Sequence, residues 1–434
     1  MPRTVSPARL SVRRFRPLLL FMLLLLLSGC TTSEFARILA ARNTQTSRAS
    51  TTIDPQLASS NRLLVHGRDG NLFTINPDST APFALTTDAG RNRTYTQATW
   101  SSSGERIGWV GLAQTADGLQ STLATSRADG TERTQIETLF APFYLYWSPD
   151  DSKLAYLSNW VEGQEQTIAL RVADVAGASD EIATISTGQP LYFSWSPSSE
   201  QLITHAANQQ VALITVASGD TVVLDDTAAN FAAPQWSTIA NQLLFVTADE
   251  DVPQLVLTDA NGENAQYVTN FSQNDAISFS LNPPGTHLAY IETSAQIGFN
   301  AFGPLLLYDL AEKQFRQISD GPVIAFFWSP DGEALFFLSA EADNDNAWLR
   351  VNVWDGDGVQ QYDRFIPSAV FLGDYLRFSD QYMQSVRFWS PDSSAIVYAG
   401  QRADGEAGVW VQAVTGDSPA QRVTDGVFAT WSPR

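Results

Sequence analysis

The stretch Phe326–Ser339, FFWSPDGEALFFLS, contains two runs of large apolar residues separated by the polar turn sequence Ser329–Gly332, SPDG. Proline presets φ at the second position of a turn, Ser and Asp side chains hydrogen-bond nearby backbone, and Gly adopts the positive φ that closes a tight hairpin. The stretch therefore predicts two strands joined by a turn. We expect Trp328 to pack against a neighbouring sheet, and burial of its ring contributes at most roughly 4–6 kcal/mol.

The same phrase recurs along the chain, in YWSPDDSKLAYLS, SWSPSSEQLITHA and FWSPDSSAIVYAG. Aligning all copies on the residue before the turn gives eight anchors: Trp100, Trp147, Trp195, Trp236, Leu281, Trp328, Trp389 and Trp431. Neighbouring anchors are 41 to 48 residues apart, except for 61 residues between the sixth and the seventh. No gap approaches twice the usual one, so the alignment predicts eight complete repeats.

Each repeat has the pattern of four strands. After Trp328 come the strand-like run ALFFLS, a polar loop, the alternating run WLRVNVW, a hairpin turn at Asp355–Gly358 and the run VQQYDRFI. A short apolar run before the Trp adds the fourth strand. Four-stranded units at this period predict an all-β fold, a single β-propeller of eight blades, with seven blades as the alternative.

The two ends of the repeat region complement each other. The sequence VFATWSPR, at residues 427–434, supplies one strand and half a turn, and the runs NRLLVHG, NLFTIN and PFALTT supply the other three strands from residue 61 onward. We therefore expect the C-terminal strand to complete the N-terminal blade, which leaves no free sheet edge. The predicted propeller domain spans residues 61–434.

Residues 1–29 have the pattern of a signal peptide, with five arginines, no acid and an apolar core LLLFMLLLLL at Leu18–Leu27 that is too short to span a bilayer. The following Leu-Ser-Gly-Cys, at residues 27–30, resembles a bacterial lipobox. That resemblance implies lipidation of Cys30 and anchoring of the protein outside the cytoplasmic membrane. Cys30 is the only cysteine, so an intrachain disulfide is excluded. We expect residues 30–60 to comprise the lipidated cysteine and a flexible tether.

The phrases WSPDGEALFFLS, WSPDDSKLAYLS and WSPDSSAIVYAG resemble the TolB-type, WD-repeat-like propeller repeat. The resemblance covers the chain after the tether and implies the fold more than the function. Similar blades accompany peptidases of the prolyl oligopeptidase type, in which an α/β-hydrolase domain carries the catalytic residues. No G-x-S-x-G sequence occurs here, and we predict no catalytic residue and no enzyme activity.

Composition restricts the partners further. The chain has 46 acidic and 26 basic residues, a net charge of −20, which disfavours nucleic acid. Its three histidines, His66, His205 and His287, lack zinc-site spacing and lie in or beside second strands of different blades. There is no phosphate-binding glycine loop. We expect no metal, no cofactor and a monomer.

One connection differs from the others. The insertion Ile366–Gln384 accounts for the 61-residue gap. It lies on the face that carries the links between blades and the irregular loops expected between second and third strands, at Asn159–Gln166, Thr293–Gly303 and Glu341–Ala347. It contains four aromatic residues, which either pack over the mouth of the ring or receive a ligand. The candidate binding residues are these four and one aromatic of a neighbouring loop: Phe371, Tyr375, Phe378, Tyr382 and Trp160.

The sequence leaves two functions open. The first is a non-enzymatic, lipid-anchored propeller that binds a protein or an envelope polymer on the irregular face. The alternative is a hydrolase acting on glycan or peptide, with paired carboxylates at the channel mouth. For the first function, deletion of residues 367–383 is expected to abolish partner capture and leave the ring folded.

Overall fold

The computed structural model describes residues 61–434 except 176–181, 208–209, 227–230, 238, 250–251, 273–274, 294–295, 298–299, 344–345 and 417. The predicted signal peptide, Cys30 and the tether up to residue 60 lie outside the described residues. In the described part of the chain, no helix is long and apolar enough to cross a membrane.

Five sheets contain four antiparallel strands each. Sheet A has, in spatial order, β3 (Phe83–Ala84), β2 (Leu72–Ile75), β1 (Leu63–Gly67) and β32 (Gly426–Trp431). Sheet B has β4 (Arg93–Trp100), β5 (Arg106–Thr115), β6 (Gly118–Arg127) and β7 (Thr134–Thr138). Sheet C has β8 (Pro142–Trp147), β9 (Lys153–Glu162), β10 (Glu165–Asp174) and β11 (Ala183–Gly188). Sheet D has β12 (Leu191–Trp195), β13 (Gln201–Ala206), β14 (Gln210–Thr215) and β15 (Thr221–Asp225). Sheet E has β16 (Gln235–Trp236), β17 (Gln242–Asp249), β18 (Val252–Asp259) and β19 (Gln266–Asn270).

The remaining strands belong to sheet F, which has ten strands, and to a small two-stranded sheet. Sheet F has β20 (Ala276–Leu281), β21 (His287–Thr293), β24 (Gly303–Asp309), β25 (Gln314–Trp328), β26 (Leu335–Asp343), β27 (Asn346–Trp354), β28 (Val359–Pro367), β29 (Ala395–Arg402), β30 (Ala407–Ala413) and β31 (Gln421–Thr424). The small sheet has β22 (Gln296–Ile297) and β23 (Asn300–Ala301). The first part of β25 pairs with β24 and its second part with β26, so β25 ends one group of strands and begins the next. The all-β propeller is confirmed; because sheet F is continuous, the count of eight blades stays a prediction.

The predicted closure of the ring is confirmed. Strand β1 pairs antiparallel with β32, with Val65 opposite Ala429. The backbone N–H of Asn61 donates to the carbonyl of Arg434 at 2.5 Å, and that of Arg62 donates to Ser432 Oγ at 3.0 Å. The two ends of the described chain are thus held in one sheet, and neither leaves an unpaired inner edge there.

The anchor residues lie where the repeat predicts them. Seven of the eight end a strand, and Trp389 forms a single bridge with Ile396. Several anchor indoles donate to a carbonyl of the preceding group of strands: Trp195 to Tyr146 at 3.0 Å, Trp328 to Ser280 at 3.0 Å and Trp389 to Phe327 at 2.9 Å. Each of these side chains therefore joins two neighbouring groups through both packing and a hydrogen bond.

The SPDG turn has the predicted local chemistry. Ser329 Oγ accepts from the N–H of Ala334 at 2.9 Å, and Asp331 Oδ1 accepts from that of Glu333 at 3.1 Å. Gly332 has a φ of 76°. Neighbouring turns are also joined: the N–H of Asp331 donates to Ser393 Oγ at 3.3 Å. The turns thus form part of the contact between groups of strands.

The prediction of an irregular loop between the second and third strands is wrong at two places. Residues 159–166 were expected to form a loop, but β9 continues to Glu162 and β10 begins at Glu165, so only two residues separate the strands. Asp343 and Asn346 likewise pair at the tip of the β26–β27 hairpin. These hairpin ends are exposed on both sides, so their polar sequences lack the alternation that indicates a strand.

Candidate functional site: a filled channel and an apolar patch

The insertion after β28 is not a surface loop. Strand β28 runs to Pro367, and three short helical turns follow at Phe371–Tyr375, Leu376–Phe378 and Ser379–Tyr382. Ser368 Oγ accepts from the N–H of Phe371 at 3.0 Å and thereby satisfies one donor at the start of the first turn. We call residues 368–386 the plug.

The plug contacts sheets on every side of the ring. The phenol of Tyr382 donates to Gln97 Oε1 of sheet B at 2.5 Å, and Tyr375 stacks on Phe428 of sheet A with ring centroids 3.6 Å apart. Gln381 reaches sheet D, as described below. Two further contacts, each of a plug side chain with a backbone carbonyl, are Gln384 to Pro234 at 3.1 Å and Ser379 to Ile324 at 3.3 Å. The centre of the ring is therefore filled by this segment.

Gln381 is the most extensively bonded residue of the plug, and only 1% of its surface is exposed. Its Oε1 accepts from the N–H of Phe193 at 3.0 Å, and its Nε2 donates to the carbonyl of Phe193 at 2.9 Å. Nε2 also lies 3.1 Å from the hydroxyl of Tyr144, which itself donates to the carbonyl of Gln381. One side chain thus satisfies the backbone of β12 and a tyrosine of β8, groups that would otherwise be buried without partners.

Two carboxyl groups of the plug have little contact with water: Asp380 is buried and Asp374 is half-buried. Burial raises the pKa of Asp374 to about 7 and that of Asp380 to about 7. Asp380 is 6% exposed, and its Oδ1 accepts from the N–H of Gln381 at 3.0 Å. A hydrogen bond from Tyr192 opposes part of the rise in the pKa of Asp380. Both carboxyl groups are therefore largely protonated in mildly acidic solution and ionised in mildly alkaline solution.

The structure places the predicted binding residues in two different settings. Phe371, Tyr375 and Tyr382 are buried in the plug, in the arrangement that the packing interpretation describes. Phe378 and Trp160 are half-buried. Trp160 lies on β9, the second strand of sheet C, and not on the innermost strand β8. The guanidinium of Arg171 lies 4.5 Å from the centroid of the Trp160 ring. A role of these residues in binding stays a prediction.

Around Trp160 lies a patch of large apolar side chains on the face that carries the second-to-third-strand hairpins. We call it the B–C patch, and its members are Leu119, Leu139, Phe140, Phe143, Trp160 and Val161. The exposed fractions are 74% for Leu139, 55% for Leu119, 46% for Val161 and 37% for Phe143. Such exposure of neighbouring apolar side chains is typical of an interaction surface.

Strand register and one ring contact bring together Leu119, Phe140 and Trp160 of this patch. Ser121 of β6 pairs with Thr138 of β7, and Leu119 and Phe140 each lie two residues beyond that pair. The rings of Phe140 and Trp160 are in edge-to-face contact, with centroids 6.1 Å apart. The patch thus continues from sheet B across the link to sheet C.

Acidic residues surround the B–C patch. Asp117, Glu137 and Glu165 are all exposed on the hairpin ends and on β7. Sequence reasoning found Trp160 but missed Leu139, Phe140 and Phe143. The available signal was the run LFAPFYLYW at residues 139–147, in which a link between strands carries apolar side chains that a connection does not need.

The described residues hold no convergent metal-ligand group. In that part of the chain, no three His, Cys, Asp or Glu side chains approach closely enough to hold an ion. His205 lies on a second strand, as predicted, with its Nδ1 3.0 Å from the carbonyl of Ala232. Burial lowers the pKa of His205 to about 4, so this ring is neutral at ordinary pH.

The sequence matches no protein-family model and no curated protein. Solved structures do resemble the chain. The structure of a eukaryotic initiation factor is 12% identical, covers 86% of this chain and 99% of its own, and has a TM-score of 0.53. The β-propeller domain of the trilobed protease of Pyrococcus furiosus is 13% identical, covers 77% and 99%, and has a TM-score of 0.47. TolB of Acinetobacter baumannii is 14% identical, covers 74% and 82%, and has a TM-score of 0.38. At such identities the similarity is one of fold alone.

Proposed function

We propose that this chain is a non-enzymatic, lipid-anchored extracytoplasmic propeller that binds a protein partner through the B–C patch. The observation that carries the proposal is the exposure of Leu119, Leu139, Phe143 and Val161 on adjoining sheets, each more than a third exposed. Leu119, Phe143 and Val161 are held on strands, so little ordering of this part of the free protein opposes binding.

The chemistry of the patch favours a protein over an envelope polymer. Aliphatic side chains with aromatic neighbours match the apolar centre of a protein interface, whereas a sugar polymer needs polar partners. The acidic rim of Asp117, Glu137 and Glu165 favours a partner whose own apolar surface is bordered by Lys or Arg.

The hydrolase alternative has less support. It needs two carboxylates that water and substrate can reach at the channel mouth. The carboxyl groups with raised pKa in the channel, Asp374 and Asp380, belong to the plug, and Asp380 is 6% exposed. Because Asp380 is buried and hydrogen-bonded, it affects the stability of the plug but does not contact a polymeric substrate.

Site-specific photo-crosslinking in the native envelope tests the binding surface. A benzophenone side chain is placed at Leu139 or at Val161, with Val222 as the control, because Val222 is 57% exposed on the outer strand of sheet D. We expect the same covalent adduct from positions 139 and 161 and none from 222. We also expect Leu139→Asp to prevent the adduct from position 161 without changing thermal unfolding, and an adduct that persists in this variant contradicts the proposed surface.

The anchor is tested separately. Cys30→Ala should abolish incorporation of an alkyne-tagged fatty acid and shift the protein from the membrane to the soluble fraction, whereas Thr31→Ala should change neither. Labelling that persists in Cys30→Ala refutes the lipid anchor but leaves the test of the B–C patch unaffected.

A further inference from the structure

The opposite face of the ring contains a cavity of about 420 Å³ that neither the channel nor the B–C patch includes. Four turns of sheet F surround it: β20–β21, β24–β25, β25–β26 and β27–β28. The volume lies within the range of small-molecule sites in proteins. The cavity is therefore large enough for a small organic ligand, and its walls determine which kind.

Aromatic rings form its apolar walls. Trp328 and Trp354 meet edge to face with centroids 6.4 Å apart. Phe315 is 51% exposed and leans on Tyr308, with ring centroids 4.5 Å apart. An exposed phenylalanine held by a second ring offers a rigid flat surface, which suits a ligand with an apolar face.

The cavity also has polar groups whose hydrogen-bonding capacity is unused. Trp354 is 7% exposed, and its indole N–H has no acceptor. The carboxylates of Glu312 and Glu333 are exposed and make no hydrogen bond or ion pair within the described residues. By contrast, Asp309 and Asp355 accept backbone N–H groups of their own turns, which lowers the pKa of both. The indole nitrogen of Trp354 is itself buried, so the two free acceptors are the groups that remain for a ligand.

The charge of the walls restricts the ligand further. Four carboxylates line the cavity, and the guanidinium of Arg316 is already engaged by the carbonyls of Gly356 and Asp357 at 3.0 and 3.2 Å. A negatively charged ligand is therefore repelled. A sugar without a carboxylate fits these features, because its hydroxyls both donate and accept and its C–H face packs on an aromatic ring.

We infer that this cavity is a second binding site, one that takes a neutral saccharide on the wall formed by Phe315, Trp328 and Trp354, with Glu312 and Glu333 accepting sugar hydroxyls. The site goes beyond the proposed protein-binding surface, from which it is separated by the length of the strands. It would let the anchored protein hold a glycan on one face and a protein on the other.

Saturation-transfer NMR of the full-length protein tests the inference, with N-acetylglucosamine and glucose oligosaccharides as ligands and tri-galacturonate as the charged comparison. We expect transfer to at least one neutral saccharide, none to the uronate, and a shift of tryptophan fluorescence on titration. Absence of transfer to both neutral saccharides, or equal transfer to the uronate, overturns the proposal.

Substitutions locate the site. The double variant Glu312→Gln, Glu333→Gln should weaken binding about tenfold, the effect of losing charge-assisted acceptors. Glu263→Gln is the matched control, since Glu263 is an exposed carboxylate at the β18–β19 turn. Phe315→Ala removes the exposed ring of the wall, and it too should weaken binding. Equal affinity in the double variant and in Glu263→Gln contradicts the assignment, and neither result depends on the B–C patch.

Discussion

Gly332 shows at the scale of a single residue what the repeated turn requires. The equivalent position has a positive φ at Asp151, Ser199 and Ser393 as well, at 58° to 64°. Positive φ alone therefore does not demand glycine here. A Cβ on Gly332 would lie 2.4 Å from Cδ of Pro284 in the preceding turn, whereas Asp151 accepts from Ser101 Oγ at 2.8 Å. The residue type that fits this position therefore depends on which side chain of the neighbouring turn lies against it.

A pair of glycine substitutions separates the cost of a positive φ from the cost of a clash with the neighbouring turn. Gly332→Ala should lower the free energy of unfolding by about 2–3 kcal/mol, because backbone strain and a clash with a rigid ring add together. Gly356→Ala is the control, since its φ is 97° but nothing lies within 4 Å of its Cβ, so only about 1 kcal/mol is expected. Urea unfolding followed by tryptophan fluorescence measures both. Equal losses would mean that the clash with Pro284 is relieved without cost.

At the scale of the element, the plug contributes to the stability of the sheets it contacts. Gln381→Ala would leave the N–H and C=O of Phe193 and the hydroxyl of Tyr144 without their buried partner, and should cost about 2–4 kcal/mol. Gln384→Ala removes one bond, to Pro234, from a half-buried residue and should cost at most about 1 kcal/mol. Thermal unfolding of the two variants compares them directly. If Gln381→Ala unfolds like the wild type, the plug does not stabilise sheet D.

The same argument changes the expectation for deletion of residues 367–383. The sequence suggested a removable binding loop, but the segment fills the centre of the ring. The deletion should therefore destabilise the ring itself, and loss of partner capture in that variant would not identify a binding surface.

The buried carboxyl groups of the plug predict a pH dependence. Because the folded-state pKa of Asp374 and of Asp380 is raised to about 7, the folded protein binds more protons than the unfolded chain between about pH 4 and pH 7. Their contribution to stability is complete below pH 4 and is lost as the pH rises through 7. Asp150, whose pKa is lowered to about 2, acts with the opposite sign and only at lower pH.

Asp380→Asn isolates this effect, since asparagine keeps the shape of the side chain and does not ionise. We expect the variant to differ least from the wild type near pH 4 and to exceed it by a few kcal/mol at most at pH 8. The measurement is the urea midpoint across this range. Parallel curves for the two proteins would show that Asp380 is not a source of the pH dependence.

Elements that are stabilised by neighbouring residues in the sequence could be predicted. Elements whose structure depends on burial against distant parts of the chain could not. Turn residues and a fixed spacing located the anchors, because each SPDG-type turn satisfies its own backbone. The hairpin ends at Asn159–Gln166 were misread as loop because exposed strands show no alternation. The aromatics of the insertion indicated burial, but nothing local revealed that Gln381 and Asp380 would face inner strands.

For the whole molecule, closure between β1 and β32 should control global stability. Thr430→Pro removes a backbone donor at the position opposite Leu64, on the side of β32 from which Ser432 N–H also donates to β1, and should abolish cooperative folding of the ring. Val222→Pro, on the outer strand β15, removes a comparable donor at a free edge and should cause only local fraying. Limited proteolysis with mass spectrometry distinguishes the two outcomes. Cooperative unfolding retained in Thr430→Pro would show that the ring does not depend on this closure.

The candidate sites illustrate what sequence reasoning can reach at this scale. Trp160 was found because it is an aromatic residue near a predicted loop. The cavity bounded by Phe315 and Trp354 was not found, because its residues come from four turns between residues 282 and 356 and no short motif connects them. The repeat locates the turns but does not indicate what adjacent turns enclose.

The position of the plug within the chain governs the order in which the molecule can be completed. Residues 368–386 follow most of the sheets they contact, and β32 follows later still. A polypeptide delivered amino end first across a membrane would hold four complete sheets and the incomplete sheets A and F around an empty centre until the plug emerges. An interrupted chain would then expose the apolar inner strands to holding chaperones and proteases, so the last residues to arrive distinguish a finished protein from one to be degraded.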